Sequence, residues 1–346
     1  MYAKKLYPLK LNPIYKEKVW GGRTLELLDR TLPGTSNTHI GESWELADLN
    51  QTSVSGGGGS PEHSLIANGE FSGQTISELI QSLGPAITGS LPLTDSNSFP
   101  LLVKFLDAKT NLSVQVHPSQ KYADAHEDAF LKSECWYILH AEPGAVIYKG
   151  VKEGTTEGLF RQAIKSNTVE ELLIKVPVNI GDCHYVPSGT CHALGQGILA
   201  AEVQTPSDTT FRVYDWGRTG RELHIDAAMQ CMTLGPAETS KYEPNITTDG
   251  QYASRTQLIT CKFFNLDRYI AKSNFTDPLT NNEPIVWMFL EGSGHFSCDA
   301  SPHIAFEKGQ TFLIPPNISN LTVEMSEGTT WLETTFPQAE PDTRIA

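Results

Sequence analysis

The sequence predicts a mainly β protein, built from two β-barrel-like units with a few α-helices on the outside. Short segments rich in Val, Ile, Tyr and Phe alternate with turn residues, which is typical of antiparallel sandwiches and barrels. The chain of 346 residues contains 28 glycines and 21 prolines, which indicates many turns. The extended segments quoted for this prediction are 112–116, 135–140, 145–148, 174–178 and 183–186.

A weak internal repeat indicates that the barrel-like unit occurs twice. Residues 180–187 (IGDCHYVP) resemble 308–315 (KGQTFLIP), and the upstream WYIL at 136–139 resembles WMFL at 287–290. A strand, a glycine turn and a strand ending in proline therefore appear in both halves. We expect one unit over residues 1–256 and a smaller, related unit over 257–346.

Two short helices are expected beside the β core. Thr75 and Glu78 have the spacing of a capping box, apolar residues follow at helical spacing, and Gly84 provides a stop. A second helix is predicted over 167–173, where two glutamates lie in the first turn. The glycine run 56–59 is not followed by Lys-Ser/Thr, so it predicts a surface loop rather than a phosphate-binding loop.

Composition excludes several classes of function. The net charge is −14, which repels a phosphodiester backbone and disfavours nucleic-acid binding. No apolar run approaches the roughly 18–20 residues that span a bilayer, and the first residues lack the apolar core of a signal peptide. We therefore expect a cytoplasmic protein. The six cysteines form no C-x-x-C pair and are expected to be reduced thiols.

One group of polar residues is suited to binding a metal. In the strand-like segment 112–118, Ser113, Gln115 and His117 share one face because side chains alternate along a strand. Glu134 opens the next strand and His192 follows the repeat segment. If these strands line one barrel, the four donors can meet, and two imidazoles, a carboxylate and an amide oxygen suit a divalent ion such as Zn²⁺.

The second repeat lacks these donors. By the two repeat alignments Ile285 stands opposite Glu134, and Asn320 stands opposite His192. We therefore expect the second unit to be a degenerate, metal-free structural copy. A histidine on a strand is more often an ordinary hydrogen-bonded residue, so the pattern leaves that alternative open.

A basic group accompanies the candidate ligands. It consists of Lys104, Lys132, Arg212 and Arg218. In an acidic protein, cations gathered at one pocket indicate an anionic substrate, and phosphate is the first candidate. The alternative is that each is a solvated surface cation or an ion-pair partner.

At this point the chain resembles the type I mannose-6-phosphate isomerases, in their shorter bacterial form, which belong to the cupin superfamily. The resemblance implies a cupin (jelly-roll) barrel for each unit. The matching stretches are 19–22 (VWGG), 41–44 (GESW), 100–104 (PLLVK), 112–118 (LSVQVHP), 132–137 (KSECWY), 186–193 (VPSGTCHA), 202–208 (EVQTPSD), 211–216 (FRVYDW) and 221–225 (RELHI).

The resemblance implies that mannose 6-phosphate and fructose 6-phosphate are interconverted by proton transfer through an enediol intermediate. It implies one Zn²⁺ held by Gln115, His117, Glu134 and His192, an active-site Arg212, and a pocket lined by Lys104, Ser113, Lys132 and Glu202. Longer members have a lysine where this chain has Arg218, and a guanidinium rarely gives up its proton.

Several points stay open at the level of the sequence. The base that takes the carbon proton is Glu202, Lys132 or a metal-bound hydroxide. Manganese, cobalt and iron accept the same donors as zinc. A non-catalytic sugar-binding cupin and a metal-dependent cupin oxygenase are competing functions, and the sequence predicts no oligomeric state.

Overall fold

The protein folds as two antiparallel β units that share one hydrophobic core. The computed structural model describes residues 5–55 and 60–337. Every strand ladder in this part of the chain is antiparallel, as expected for strands joined by short turns. The glycine run 56–59 lies outside the described residues, so its loop stays a prediction.

The first unit is a barrel formed by a six-stranded and a five-stranded sheet. The six-stranded sheet has the spatial order Cys183–Val186, Glu134–Ala141, Ile198–Gln204, Leu102–Ala108, Ile40–Leu46 and Ile14–Gly22. The five-stranded sheet has the order Leu173–Pro177, Val146–Val151, His192–Leu194, Val114–Val116 and Phe211–Tyr214.

The second unit repeats this arrangement with a seven-stranded and a four-stranded sheet. The first has the order Leu9–Lys10, Thr311–Ile314, Ile285–Glu291, Thr330–Thr335, Asn265–Ala271, Ala253–Thr260 and Ile246–Asp249. The second has the order Phe275–Pro278, Thr322–Met325, Ser293–Cys298 and Ser301–Glu307. A separate two-stranded ladder joins Asp48–Leu49 and Glu62–His63.

Helices are short and lie outside the barrels. The α-helices are Ile76–Leu83, Pro85–Thr88, Gln120–Ala123, Glu157–Ser166 and Ile225–Cys231, and the 3₁₀ helices are Thr24–Leu28, Gly69–Phe71, Val169–Leu172 and Ser240–Tyr242. Among the described residues, each helix is too short or too polar to cross a bilayer.

The local predictions have mixed outcomes. The Thr75 capping box is confirmed, since its hydroxyl accepts from the Glu78 amide and the Glu78 carboxylate accepts from the Thr75 amide. The helix over 167–173 is wrong. Asn167 adopts a left-handed conformation and ends an α-helix at Glu157–Ser166, and only a 3₁₀ turn follows at Val169–Leu172. The capping Thr156 was the signal that the sequence analysis missed.

Strand register confirms the internal repeat and extends it. Trp136 pairs with His184 as Trp287 pairs with Phe312, which is the alignment expected from the sequence. On the next strand Trp136 pairs with Glu202, and its indole donates to that carboxylate at 3.0 Å. Trp287 likewise pairs with Glu333 and donates to it at 2.7 Å.

We propose that the two units divide at residues 1–256 and 257–346. This boundary falls inside the strand Ala253–Thr260, and the strands Leu9–Lys10 and Ile246–Asp249 precede it. All three strands pair within the seven-stranded sheet of the second unit. The outer face of the six-stranded sheet, including Phe105, Cys135 and Val203, packs in the same core cluster as the second unit. The units therefore support each other through a broad apolar contact.

The interiors of the two barrels differ in chemistry. Aromatic rings fill the second barrel, where Phe289 stacks on Phe306 with ring centroids 3.9 Å apart. Phe296 lies against Phe306 and Phe312 at 5.1 and 5.4 Å. The first barrel carries buried polar and charged side chains on its inner face, as described next.

Candidate metal centre and active site

The four predicted ligands meet between the two sheets of the first barrel. Gln115 and His192 lie directly opposite each other on neighbouring strands of the five-stranded sheet. His117 follows the strand that carries Gln115. Glu134 begins a strand of the facing sheet. Residues separated by up to 77 positions are thus brought together by strand pairing and by closure of the barrel.

The distances within this group are those of a compact donor set. The two oxygens of Glu134 lie 3.3 Å from His117 Nε2 and 3.2 Å from His192 Nε2. The Gln115 amide lies 3.3 Å from His192 Nε2. His117, Glu134 and His192 are at most 1 % exposed and form a group whose donor atoms could share one ion.

Hydrogen bonds fix how both imidazoles are oriented. The Nδ1 of His117 lies 2.9 Å from the Thr209 carbonyl oxygen, and the Nδ1 of His192 lies 2.8 Å from the Thr190 carbonyl oxygen. A carbonyl only accepts, so each Nδ1 carries the proton and each Nε2 presents a lone pair to Glu134. Backbone carbonyls commonly orient metal-binding histidines in this way.

Electrostatics keep the donors in the forms that bind metals. Burial, together with the charge of Lys132, lowers the pKa of His117 to about 3, so its ring is neutral at physiological pH. Burial opposes ionisation of Glu134, but Lys132 outweighs it and holds the pKa of Glu134 well below its ordinary value. The site therefore combines a neutral His117 with an ionised Glu134.

Lys132 is a permanent cation beside the ligands. Its Nζ lies 2.9 Å from Glu134 Oε2, and its side chain is 5 % exposed. Burial opposes the charge, but Glu134 and Glu202 outweigh burial and raise the pKa of Lys132. An ammonium held in this way is a poor base and a good partner for negative charge.

Glu202 and Lys104 form a second charged pair on the same inner face. Lys104 pairs in register with Glu202, and its Nζ lies 3.2 Å from Glu202 Oε2. The other oxygen accepts from the Trp136 indole at 3.0 Å. Burial raises the pKa of Glu202 despite the nearby lysine. This carboxylate is therefore closer to a working base than an ordinary glutamate is.

Glu42 was missed as a site residue by the sequence analysis. Its carboxylate lies 3.8 Å from Lys104 Nζ, 3.0 Å from Lys18 Nζ and 2.6 Å from the Trp44 indole nitrogen. Burial opposes ionisation, but the two lysines lower the pKa of Glu42. The sequence contained a signal for Glu42, since residues 41–44 were among the matching stretches. Glu42 and Trp44 are two positions apart on one strand, so their side chains lie on the same face.

Arginines gather at one edge of the five-stranded sheet. Arg212 pairs in register with Gln115, and its Nε donates to the Ser113 hydroxyl at 3.3 Å. Arg218 and Arg221 both bind the carboxylate of Asp215, and Arg218 also donates to the Asn111 carbonyl at 2.8 Å. One carboxylate shared by two guanidiniums leaves this edge positively charged.

The cysteines next to the ligands do not join the donor set. Cys135 points to the opposite face of its strand from Glu134 and lies in the shared core. Cys191 is also fully buried among apolar residues. Burial raises the pKa of both thiols, which disfavours the thiolate that would bind a metal.

The unsatisfied atoms of the site fit a divalent cation. His117 Nε2 and Glu134 Oε1 are buried and receive no hydrogen bond from any described residue, whereas Glu134 Oε2 has the Lys132 ammonium 2.9 Å away. Buried acceptors this close together are costly unless a cation or a donor lies between them. The fold and the site thus define a β-barrel protein with a buried His/Glu/His centre suited to one divalent metal ion.

Comparison with known proteins agrees with a metal-binding β-barrel protein and identifies the family. Residues 8–143 match the family described as the catalytic domain of type I phosphomannose isomerases. The mannose-6-phosphate isomerase ManA of Bacillus subtilis is 34 % identical over 326 residues, which cover 92 % of this chain and 96 % of that protein. A mannose-6-phosphate isomerase of Streptococcus mutans is 34 % identical over 90 % of this chain and 94 % of its own.

Solved structures give the same result for the fold. The crystal structure of a mannose 6-phosphate isomerase from Bacillus subtilis matches with a TM-score of 0.83 and 28 % identity, covering 96 % of this chain and all of that one. A structure from Archaeoglobus fulgidus, at 19 % identity and a TM-score of 0.73, supports the fold alone. The chain belongs to the type I mannose-6-phosphate isomerase family, and its mainly β, cupin-like fold is confirmed.

The low pKa of His117 predicts how the metal-free protein responds to acid. In the unfolded chain this histidine takes up a proton near pH 6.5, whereas in the folded protein it does so only near pH 3. The unfolded state therefore binds more protons in this window, and the free energy of unfolding falls as pH falls from about 6.5 towards 3. Urea denaturation in a chelator at several pH values measures this.

The matched variants are His117→Asn and His39→Asn, because His39 is exposed. His117→Asn should reduce the slope by up to one proton, about 1.4 kcal/mol per pH unit, and His39→Asn should not. An unchanged slope in His117→Asn contradicts the assignment.

Proposed function

We propose that this protein is a zinc-dependent aldose–ketose isomerase that interconverts mannose 6-phosphate and fructose 6-phosphate. The observation that carries the proposal is the group of buried His117, Glu134 and His192 with half-buried Gln115, next to Lys132, Lys104 and Arg212. A Lewis-acid site beside fixed cations suits a phosphorylated sugar whose oxygens gain charge during reaction. Membership of the family supports the reaction and the substrate.

The donors fit zinc. Two imidazoles, one ionised carboxylate and one amide oxygen are the nitrogen and oxygen ligands that zinc accepts. Gln115 has its amide nitrogen 3.3 Å from His192 Nε2, and a 180° turn of the amide would put its oxygen in that place. When bound, the ion supplies Lewis acidity that stabilises negative charge on the sugar oxygens.

The cations of the site account for an anionic substrate. Arg212 is half-buried, and burial together with Arg221 lowers its pKa, so an anion relieves repulsion among the arginines. We assign to Arg212 the role of stabilising negative charge on the reacting oxygens or of binding the phosphate. Ser113, Arg218 and Lys104 are assigned to substrate binding. Binding the phosphate far from the reacting carbon orients the sugar and lowers the entropy cost of reaction.

We assign proton transfer from carbon to Glu202. Its pKa is raised by burial, while the Trp136 indole fixes one oxygen and leaves the other facing Lys104. Lys132 is held protonated by Glu134 and Glu202, so it serves the reaction as a cation that stabilises the enediol rather than as the base. The proton removed from C2 is then returned to C1, and a second proton passes from the C2 oxygen to the C1 oxygen, so that the aldehyde becomes a hydroxymethyl group and the C2 hydroxyl becomes a ketone.

The competing functions have weaker support. A non-catalytic sugar-binding cupin needs no buried metal ligands, whereas His117, Glu134 and His192 are buried here with donor atoms close enough to share one ion. A cupin oxygenase needs no arginine cluster like the one at the edge of the five-stranded sheet. We further propose that the enzyme acts in the cytoplasm, in keeping with its sugar-phosphate substrate.

The direct test is a coupled isomerase assay with mannose 6-phosphate before and after chelation, with metals added back one at a time. We expect chelation to abolish turnover and zinc at one equivalent per chain to restore it. Restoration by iron alone together with oxygen uptake favours the oxygenase, and retained activity in the chelator contradicts a metal-dependent isomerase.

Arg212→Ala should lower kcat by roughly 10²–10³-fold, the usual effect of losing a donor that stabilises charge in a transition state. Zinc content should stay at the parent level, because the Arg212 side chain donates its hydrogen bonds to the Ser113 hydroxyl and the Glu222 carbonyl. The control is Arg161→Ala, whose partners Glu157 and Asp226 are exposed. Loss of zinc in Arg212→Ala contradicts a catalytic role and assigns a structural one.

Glu202→Gln tests the base. The change keeps the shape and the Trp136 hydrogen bond, so zinc content and KM should stay close to the parent while kcat falls by roughly 10²–10⁴-fold. Glu333→Gln is the matched control, since Glu333 holds the equivalent position beside Trp287 in the second unit. Exchange of substrate hydrogen with deuterated solvent should disappear only in Glu202→Gln, and retained exchange excludes Glu202 as the base.

A further inference from the structure

Gln204 is a buried polar residue that the mechanism above does not use. It ends the strand Ile198–Gln204 and lies directly opposite Glu134 on the neighbouring strand. Residues opposite each other in an antiparallel pair project to the same face, so Gln204 shares the inner face of the barrel with the metal ligand. Its side chain is fully buried.

The orientation of the Gln204 amide is fixed by its surroundings. Its Nε2 donates to the Thr205 carbonyl at 2.9 Å and also to the Ser207 carbonyl. Both partners are acceptors, so the nitrogen must face them and the oxygen must face the other way. The Oε1 is buried and receives no hydrogen bond from any described residue.

The loop that Gln204 holds carries the carbonyl that orients His117. This loop, residues 205–209, ends at Thr209, whose carbonyl accepts from His117 Nδ1 at 2.9 Å. The same loop is bonded to the segment 130–133, which contains Lys132. The bonds are Ser133 N to Thr205 Oγ1 at 3.1 Å, Thr205 Oγ1 to the Leu131 carbonyl at 3.0 Å, Ser207 Oγ to the Phe130 carbonyl at 2.9 Å and Phe130 N to Thr209 Oγ1 at 3.1 Å.

We propose that Gln204 is a positioning residue for the metal centre. By satisfying two carbonyls of the loop 205–209, its amide fixes the Thr209 carbonyl against His117 and the segment 130–133 against Glu134. The proposal rests on the metal-binding role assigned to His117 and Glu134 under the proposed function. It predicts that Gln204 sets metal affinity and turnover without touching the metal.

The chemistry of the position requires an amide. A leucine of similar size leaves the Ser207 carbonyl without its Gln204 donor and the Thr205 carbonyl with only the Ser207 amide, which is costly in a buried loop. A glutamate places a negative oxygen against those carbonyls and beside Glu134, where like charges repel. Only the amide donates to the loop while presenting a neutral acceptor to the face that carries Glu134.

The test measures zinc affinity of the metal-free protein by competition with a chromophoric chelator. We expect Gln204→Leu to weaken zinc binding by roughly 10–100-fold, the range found when residues behind metal ligands are changed. With saturating zinc, kcat for mannose 6-phosphate should fall while KM stays within twofold. Val203→Ala is the matched control, because Val203 is buried on the opposite face of the same strand, and it should lower stability without changing zinc affinity.

A second variant guards against misfolding. Ser207→Ala removes the hydrogen bond from the Ser207 hydroxyl to the Phe130 carbonyl, which ties the same loop to the segment 130–133. It should also weaken zinc binding, by a smaller factor than Gln204→Leu. Unchanged zinc affinity in both folded variants overturns the proposal. Zinc affinity is measured without turnover, so a parent protein that binds zinc but does not isomerise mannose 6-phosphate refutes the proposed function and leaves this test intact.

Discussion

The structure depends on an ionised carboxylate, Glu134, that is fully buried inside the first barrel. A buried charge is tolerated only when partners compensate it, and the compensating cation is Lys132, 2.9 Å from Glu134 Oε2. The Nε2 atoms of His117 and His192 lie 3.3 and 3.2 Å from the same carboxylate. A carboxylate that faces two imidazole nitrogens is a strong site for a divalent cation.

The two units show how one barrel serves two purposes. Both keep a tryptophan that donates to a glutamate on the next strand, Trp136 to Glu202 and Trp287 to Glu333. In the first unit the residue directly opposite that glutamate on the neighbouring strand is Lys104, whereas in the second unit it is Asp267. Rings fill the rest of the second interior. The second unit therefore keeps the frame and supports the outer face of the six-stranded sheet.

The part of the site that depends on local periodicity was predictable. Alternation along 112–118 places Gln115 and His117 on one face, and the repeat aligns Glu134 with Ile285. The approach of Glu134 and His192 to that face depends on strand pairing and on closure of the barrel. The contribution of Gln204 was not predicted, because it acts through a cross-strand neighbour that sequence spacing does not identify. The helix Glu157–Ser166 was missed for a local reason, since its cap at Thr156 was overlooked. The pKa shifts of His117 and Glu202 could not be predicted from the sequence either, because both are caused by burial in the closed barrel.

X-ray absorption at the zinc edge of the holoprotein, with and without mannose 6-phosphate, tests the central claim most directly. The account predicts a single zinc ion with only nitrogen and oxygen neighbours and the scattering pattern of two imidazoles, and it predicts that the sugar phosphate changes the oxygen shell. Sulfur neighbours, a pattern without two imidazoles, or a spectrum indifferent to the substrate contradicts a centre built from Gln115, His117, Glu134 and His192.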